Sequence, residues 1–238
     1  MINFFDTSFY DKESIDYSNK RYNILPTTFF HFLFQRRLKH VLNIVKKYFI
    51  DKKEQILIED GCADGIVVQT ISKTYPDIFS NIIGMDISSI MIEQAKKINN
   101  NKKISFHLKD NVSNIKADCI LAIGFVSPGI FEDEFKFIIN HMKDDGIAVV
   151  SLASGNSLYA KLKLRDKEIT RDYWSFKRYT NFLNKYFEIL DHIPYGIFIP
   201  KLWMFPNIAR ISQSFFENIF KYFPILFHER LYILKKRR

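Results

Sequence analysis

The chain has 238 residues, 47% of them hydrophobic, so it can bury one large core, and an intrinsically disordered chain is excluded. Its net charge of +9 is uneven: residues 1–50 carry +4, residues 51–194 carry −1 and residues 195–238 carry +6, so the basic surplus sits in the two flanks. Two cysteines build no disulfide framework, no uncharged apolar run of 18 residues offers a membrane span, and the acidic opening residues lack the pattern of a secretory leader; a reducing, cytoplasmic setting is expected.

Residues 9–22 are polar with interleaved aromatics and predict an irregular or short helical lead-in. Residues 28–49 predict an amphipathic helix. Phe29, Phe32, Leu33, Leu38, Val41, Leu42, Val45 and Phe49 recur at three- and four-residue spacing, with Arg36, Arg37, Lys39, Lys46 and Lys47 between them. Pro26 and the Thr27–Thr28 pair suit its start. Short apolar runs and helical stretches then alternate. Strands are predicted at 55–60, 81–86, 103–108, 117–123 and 146–153, and helices at 66–74, 88–99 and 131–142. A helix at 173–185 precedes two alternating segments, 187–193 and 229–235, which read as paired strands near one edge. This alternation predicts a parallel, doubly wound α/β sheet, whose ligands bind beyond the carboxyl ends of the strands.

Residues 56–65, ILIEDGCADG, are the sharpest stretch. A strand ends in two carboxylates, turns through a loop with a glycine at each end, and enters a helix. Such a loop presents backbone N–H groups to a ligand. A phosphate-binding loop requires GxxxxGK followed by Ser or Thr, and a dinucleotide fingerprint requires GxGxxG; the spacing here is GxxxG. Glu59, Asp60 and Asp64 would repel a pyrophosphate and suit a ligand bearing positive charge. Asp86 ends the second strand, where an acid can accept both hydroxyls of a ribose. Asp110 and Asn111 follow the third strand and can meet an adenine amino group.

These residues resemble the class I S-adenosylmethionine-dependent methyltransferase family. Its first motif is an acidic residue, an apolar one, then GxGxG; residues 58–65 match it with Glu59 at the acidic position. Ala63 replaces the middle glycine, and Asp60 stands where an apolar residue is usual. GMDISSIMIEQAKK matches the acid-tipped second strand with its serine-rich helix start. ADCILAIG through HMKDDGIAVVSLA is similar to the fourth and fifth strands. The resemblance covers about residues 55–155. It implies a Rossmann-like, doubly wound, seven-stranded sheet, mostly parallel with the last strand antiparallel. An N-terminal helical cap (1–50) would precede a methyltransferase domain (51–238), with a helical insertion or lid (194–227) between the last two strands.

The resemblance also implies roles. Glu59 and the backbone of Gly61, Ala63 and Gly65 would hold the methionine part of S-adenosylmethionine. Asp86 would hold the ribose, with Ile87 against the adenine. Asp110, with Asn111 beside it, would bind the adenine amino group. Ile123 and Gly124 would line the methyl-donor side, and Tyr17 and Tyr22 would cover the cofactor.

Methyl transfer from a sulfonium is an in-line displacement that needs alignment more than a catalytic triad. A base helps if the acceptor is a hydroxyl. His31 and His192 are the candidates able to reach the mouth, while His107 and His141 read as structural. Cys62 and Cys119 offer no metal-ligand spacing, so a metal-independent enzyme is expected. The amino-methylating signature, Asp, Asn or Ser followed by Pro-Pro and an aromatic residue, is absent after the fourth strand, which reads GFVSPG. O-methylation of a small-molecule, glycan or lipid-linked acceptor is therefore the leading expectation. The alternatives are an RNA methyltransferase using the basic flanks and a non-catalytic protein that binds the cofactor. Residues 194–227 hold four prolines and many aromatics. They read as a lid, with peripheral contact at the inner membrane surface, or as an added core layer or dimer interface.

Overall fold

The computed structural model describes residues 14, 16–22, 27–111, 115–124, 128–162 and 173–237. Pro26 and the side chain of Asn111 lie outside the described residues. A short helix α1 (Tyr17–Tyr22) leads into α2 (Phe29–Phe49), whose N-terminus is capped by Thr28 accepting from the His31 N–H at 3.3 Å. The alternating unit follows as β1 (Gln55–Asp60), α3 (Ile66–Thr74), β2 (Phe79–Asp86), α4 (Ser89–Ile98), β3 (Ile104–Leu108) and β4 (Ala117–Ala122). The chain continues through α5 (Phe131–His141), β5 (Met142–Ala153), the single turn α6 (Leu158–Lys161), α7 (Phe176–Leu183), β6 (Phe187–Ile197), α8 (Pro206–Ile219) and β7 (Phe227–Lys236).

The seven strands form one sheet in the order β3-β2-β1-β4-β5-β7-β6. Strands β1 to β5 pair in parallel, and β7 runs antiparallel between β5 and β6. The register aligns Asp60 with Met85 on one side and Ala122 on the other, so the tips of β1, β2 and β4 end level. Side chains alternate across the sheet. Leu57, Cys119, Leu121 and Val149 face a layer built from α2, α3 and α4; Ile58, Ile120, Ala122 and Val150 face α5 and α7. Cys119, Ile120, Leu121 and Ala122 are all at 0% exposure, so β4 is buried on both faces, as its unbroken apolar run requires. Burying one large aliphatic side chain contributes about 1.5–3 kcal/mol. Helix α2 belongs to this core: Leu33, Val41, Ile44, Val45 and Phe49 pack in the same cluster as Leu57 and Val68.

Two boundaries differ from the pattern by four residues. β5 starts at Met142, paired with Ala117, four residues before the predicted start. Exposed Asp144 and Asp145 disguise its beginning. β6 runs past residue 193 to Ile197, through Pro194. A proline fits there because β6 is the outermost strand, where a missing N–H breaks no ladder. The insertion between β6 and β7 is accordingly 198–226. Since β6 runs parallel to β5, the insertion leaves and rejoins the sheet at the edge where the parallel strands end.

Candidate functional site

The two acids that end β1 point to opposite faces. Glu59 lies on the α3 side and accepts the Val68 N–H; Asp60 lies on the α5 side and pairs with Lys109 at 2.8 Å. The loop then turns through three left-handed residues, Gly61 (φ 73°), Ala63 (φ 48°) and Gly65 (φ 80°). Gly65 has a second constraint, because a Cβ there would sit 2.5 Å from the Phe106 ring. Asp86 fixes the loop. Its Oδ2 accepts the Ala63 N–H at 2.8 Å and its Oδ1 the Ser88 N–H at 3.0 Å, tying β1's loop to the tip of β2. The Cys62 N–H donates to the Met85 carbonyl at 2.8 Å.

Glu59, Asp60, Asp64 and Asp86 are exposed by 1%, 1%, 6% and 8%. Burial pushes the Glu59 carboxyl well above the usual range, and the charges of Asp64, Asp86 and Asp60 push it further. Burial also raises Asp64 and Asp86, against the N–H groups that each accepts. Glu59 Oε2 and Asp64 Oδ1 are buried without a hydrogen-bond partner among the described residues. The other Asp64 oxygen accepts the Ser18 N–H at 3.1 Å and the Ser18 hydroxyl, which draws α1 across the loop. Half-buried Tyr17 and Tyr22 come with it. Burial pushes the Tyr17 phenol up to about 12, and Tyr22 is raised by burial and by Tyr17. A buried acidic cluster with unused acceptors suits a cation that carries N–H donors.

The structure thus gathers Tyr17, Tyr22, Glu59, Gly61, Ala63, Gly65 and Asp86 around one place. Ile87 is half-buried just beyond Asp86, and Ile123 is 6% exposed at the end of β4. The Gly124 N–H donates to Ser151 Oγ at 2.8 Å. Asp110 is exposed in a 3-10 turn after β3. The histidines do not converge. His31 sits in the first turn of α2, its Nδ1 accepting the Thr27 N–H at 3.3 Å. His192 is exposed in mid-β6, in a groove with Lys39 and His40. His107 is exposed on β3, and His141 contacts the Phe137 carbonyl through Nδ1 at 2.9 Å. Cys62 and Cys119 are buried, free thiols, both raised by burial. Among the described residues, no group of three or more His, Cys, Asp or Glu side chains is arranged to hold a metal.

Two clusters escape the sequence pattern. Arg37, 4% exposed, meets Glu229 through Nη2 at 2.8 and 2.9 Å, and its Nε donates to Tyr195 Oη at 3.1 Å. Burial opposes a Glu229 charge, yet Arg37, His228 and Tyr195 hold its carboxyl below the usual range. The remaining Arg37 nitrogen, Nη1, lies against Gly124: a Cβ there would be 2.6 Å from it. Arg37 falls four residues after Leu33 and four before Val41, on the inward stripe of α2, and that misplaced charge is the signal in the sequence. On the opposite face, Lys109 bridges Asp60 and Glu134. Burial and the Asp60 charge push Glu134 up to about 8. The signal there is Asp60 at an otherwise apolar position.

A glycine loop after the first strand, an acid locking it from the tip of the second and a buried acidic cluster suit a nucleoside cofactor carrying positive charge. Residues 29–193 match the family described as Methyltransferase domain. The chain belongs to that family and is an S-adenosylmethionine-dependent methyltransferase. It is 31% identical over 77 residues to malonyl-(acyl-carrier protein) O-methyltransferase of Bacillus cereus, a stretch covering 32% of this chain and 28% of that relative. Among solved structures it resembles a chain of the complex between the Haloferax volcanii Trm112 methyltransferase activator and a methyltransferase (TM-score 0.64, 14% identity, covering 96% of this chain and 98% of that one). It also resembles the plantazolicin methyltransferase BpumL in complex with S-adenosylhomocysteine (0.59, 18%, covering 98% and 93%). A third is the S-adenosylmethionine-dependent methyltransferase of Thiobacillus denitrificans, also with S-adenosylhomocysteine (0.57, 12%, covering 94% and 98%). At these identities the likeness is one of fold. The residues present fit the cofactor: the unpartnered Glu59 and Asp64 oxygens suit its charged amino-acid end.

Proposed function

We propose that the enzyme methylates an oxygen atom of a small-molecule, glycan or lipid-linked acceptor, and that it works in the cytoplasm. The observation that carries this reading is Arg37. Its guanidinium is held by Glu229 and Tyr195, with Nη1 against Gly124 at the end of β4. Glu229 balances the guanidinium's charge, so what Nη1 offers there is an N–H donor, which favours an acceptor oxygen over a protonated amine. The GFVSPG sequence after β4 agrees with this, as does the O-methyltransferase named among the relatives.

The cofactor, when bound, supplies an electrophilic methyl group on a sulfonium. In this reading Glu59 and the 61–65 backbone hold its methionine part, and Asp86 holds the ribose while keeping the loop closed. Ile87 packs on the adenine, and Asp110 and Asn111 meet its amino group. Ile123 and Gly124 line the methyl side, and Tyr17 and Tyr22 cover the site and exclude water. The 198–226 insertion borders the acceptor side. The experiment is incubation with S-adenosylmethionine labelled on its methyl group and a panel of carboxylated, hydroxylated and amine acceptors, a malonyl thioester included. The expected product carries label on oxygen: a methyl ester releases methanol in mild alkali, and an ether does not. Label on nitrogen, or in RNA alone, would overturn the proposal.

A further inference from the structure

Helix α8 is inverted. Its buried residues are Ala209, Gln213 and Glu217, two of them polar, while Ile208, Ile211, Phe215 and Ile219 point outward with exposures of 58, 76, 61 and 50%. Those four recur at three- and four-residue spacing and form one stripe. Met204, Phe205, Tyr222 and Phe223 extend it at both ends, each more than half exposed. Of the sixteen large hydrophobic residues exposed among the described residues, nine lie between 204 and 225. That is a contiguous patch, of the kind that marks an interaction surface.

The inversion is held in place. Glu217 accepts the Gly196 N–H at 3.2 Å and pairs with Arg36 and with His40, pinning α8 to β6 and α2. Glu217 is also the sole acid in residues 198–226, so every exposed charge there is a cation: Lys201, Arg210 and Lys221. Beside the stripe, a groove of about 320 Å³ between α2, β6 and α8 is lined by Lys39 and Lys221, with Arg36 and His40 held there by Glu217. We propose that this face docks on the surface of an anionic phospholipid bilayer. The apolar stripe enters the headgroup–acyl boundary, and the groove cations meet lipid phosphates. Charge complementarity selects this occupant: two copies of the face would set like charges against each other, whereas an anionic surface neutralises them. No helix of the described residues is long and apolar enough to cross a membrane, and the proposal lays α8 in the plane of the surface. The insertion springs from the edge that carries the cofactor loop, so docking sets that edge near the lipid. The proposal does not depend on which atom accepts the methyl group.

The test is flotation of the full chain with phosphatidylglycerol–phosphatidylcholine vesicles and with pure phosphatidylcholine vesicles, alongside Ile211→Glu/Phe215→Glu. Both side chains are exposed, so the melting curve and S-adenosylhomocysteine binding stay at wild-type values and report an intact enzyme. Wild type should float with anionic vesicles, and the double variant should bind them about tenfold more weakly or worse. Equal flotation of the two proteins, or no flotation at any composition, would overturn the proposal. So would a dimer in sedimentation velocity that the same substitutions dissolve, or tight RNA binding, if either came without vesicle binding.

Discussion

Glu134→Gln should stabilise the enzyme above neutral pH and leave it nearly unchanged in mild acid. Lys109 can neutralise one of its two buried carboxylate neighbours. The other keeps a proton, and burial with the Asp60 charge assigns it to Glu134, whose carboxyl moves from 4.5 to about 8. An acid raised on folding binds more protons in the native state than in the unfolded one between those values. Its contribution is therefore complete below pH 4.5 and is lost as pH rises toward 8, at about 1.4 kcal/mol per pH unit. The ceiling of that loss is about 5 kcal/mol, and sharing the proton with Asp60 lowers it. A glutamine stays neutral at every pH and still accepts from Lys109. In a chain of this size each kcal/mol moves Tm by about 2–4 °C. The assay is thermal melting of both proteins from pH 5 to 9. The difference in Tm should be small at pH 5 and grow steadily in favour of the variant above pH 6. A difference independent of pH, or one that grows toward acid, would refute the reasoning.

Gly65→Ala should cost about 2–4 kcal/mol in denaturant unfolding and abolish cofactor binding, since φ is +80° and the methyl would sit 2.5 Å from Phe106. Ala63→Gly should do the reverse: at φ 48° the methyl is strained, and its removal should stabilise by about 0.5–1 kcal/mol in the same assay. Asp86→Ala should raise the S-adenosylhomocysteine dissociation constant by about tenfold or more in calorimetry, because it frees the Ala63 and Ser88 N–H groups that close the loop. Arg37→Met should cost about 3–5 kcal/mol by chemical unfolding, since it strands Glu229 as a buried charge.

Local pattern carried the elements and the glycine loop because both are written in short-range spacing. β1 and α3 fall at the predicted residues, and the acids and glycines of the loop are contiguous. What the pattern could not carry depends on partners far along the chain. Arg37 reads as one more cation on a basic helix until Glu229 closes on it from β7. Asp60 reads as a departure from the motif until Lys109 and Glu134 arrive from beyond β3 and from α5. The start of β5 was hidden by acids at its exposed end. For residues 198–226, polarity alone points the apolar stripe of α8 inward. The structure reverses it, because Glu217 finds Arg36, His40 and the Gly196 N–H inside.

The central claim is that the acidic loop holds a positively charged nucleoside cofactor through Glu59. Calorimetric titration of S-adenosylmethionine and S-adenosylhomocysteine into wild type and Glu59→Gln tests it. Wild type should bind both ligands with micromolar dissociation constants, and the variant should bind each about tenfold more weakly or worse, since it loses the charged partner of the ligand's amino group. No heat with either ligand at high micromolar concentration, or equal affinity in the two proteins, would contradict the account.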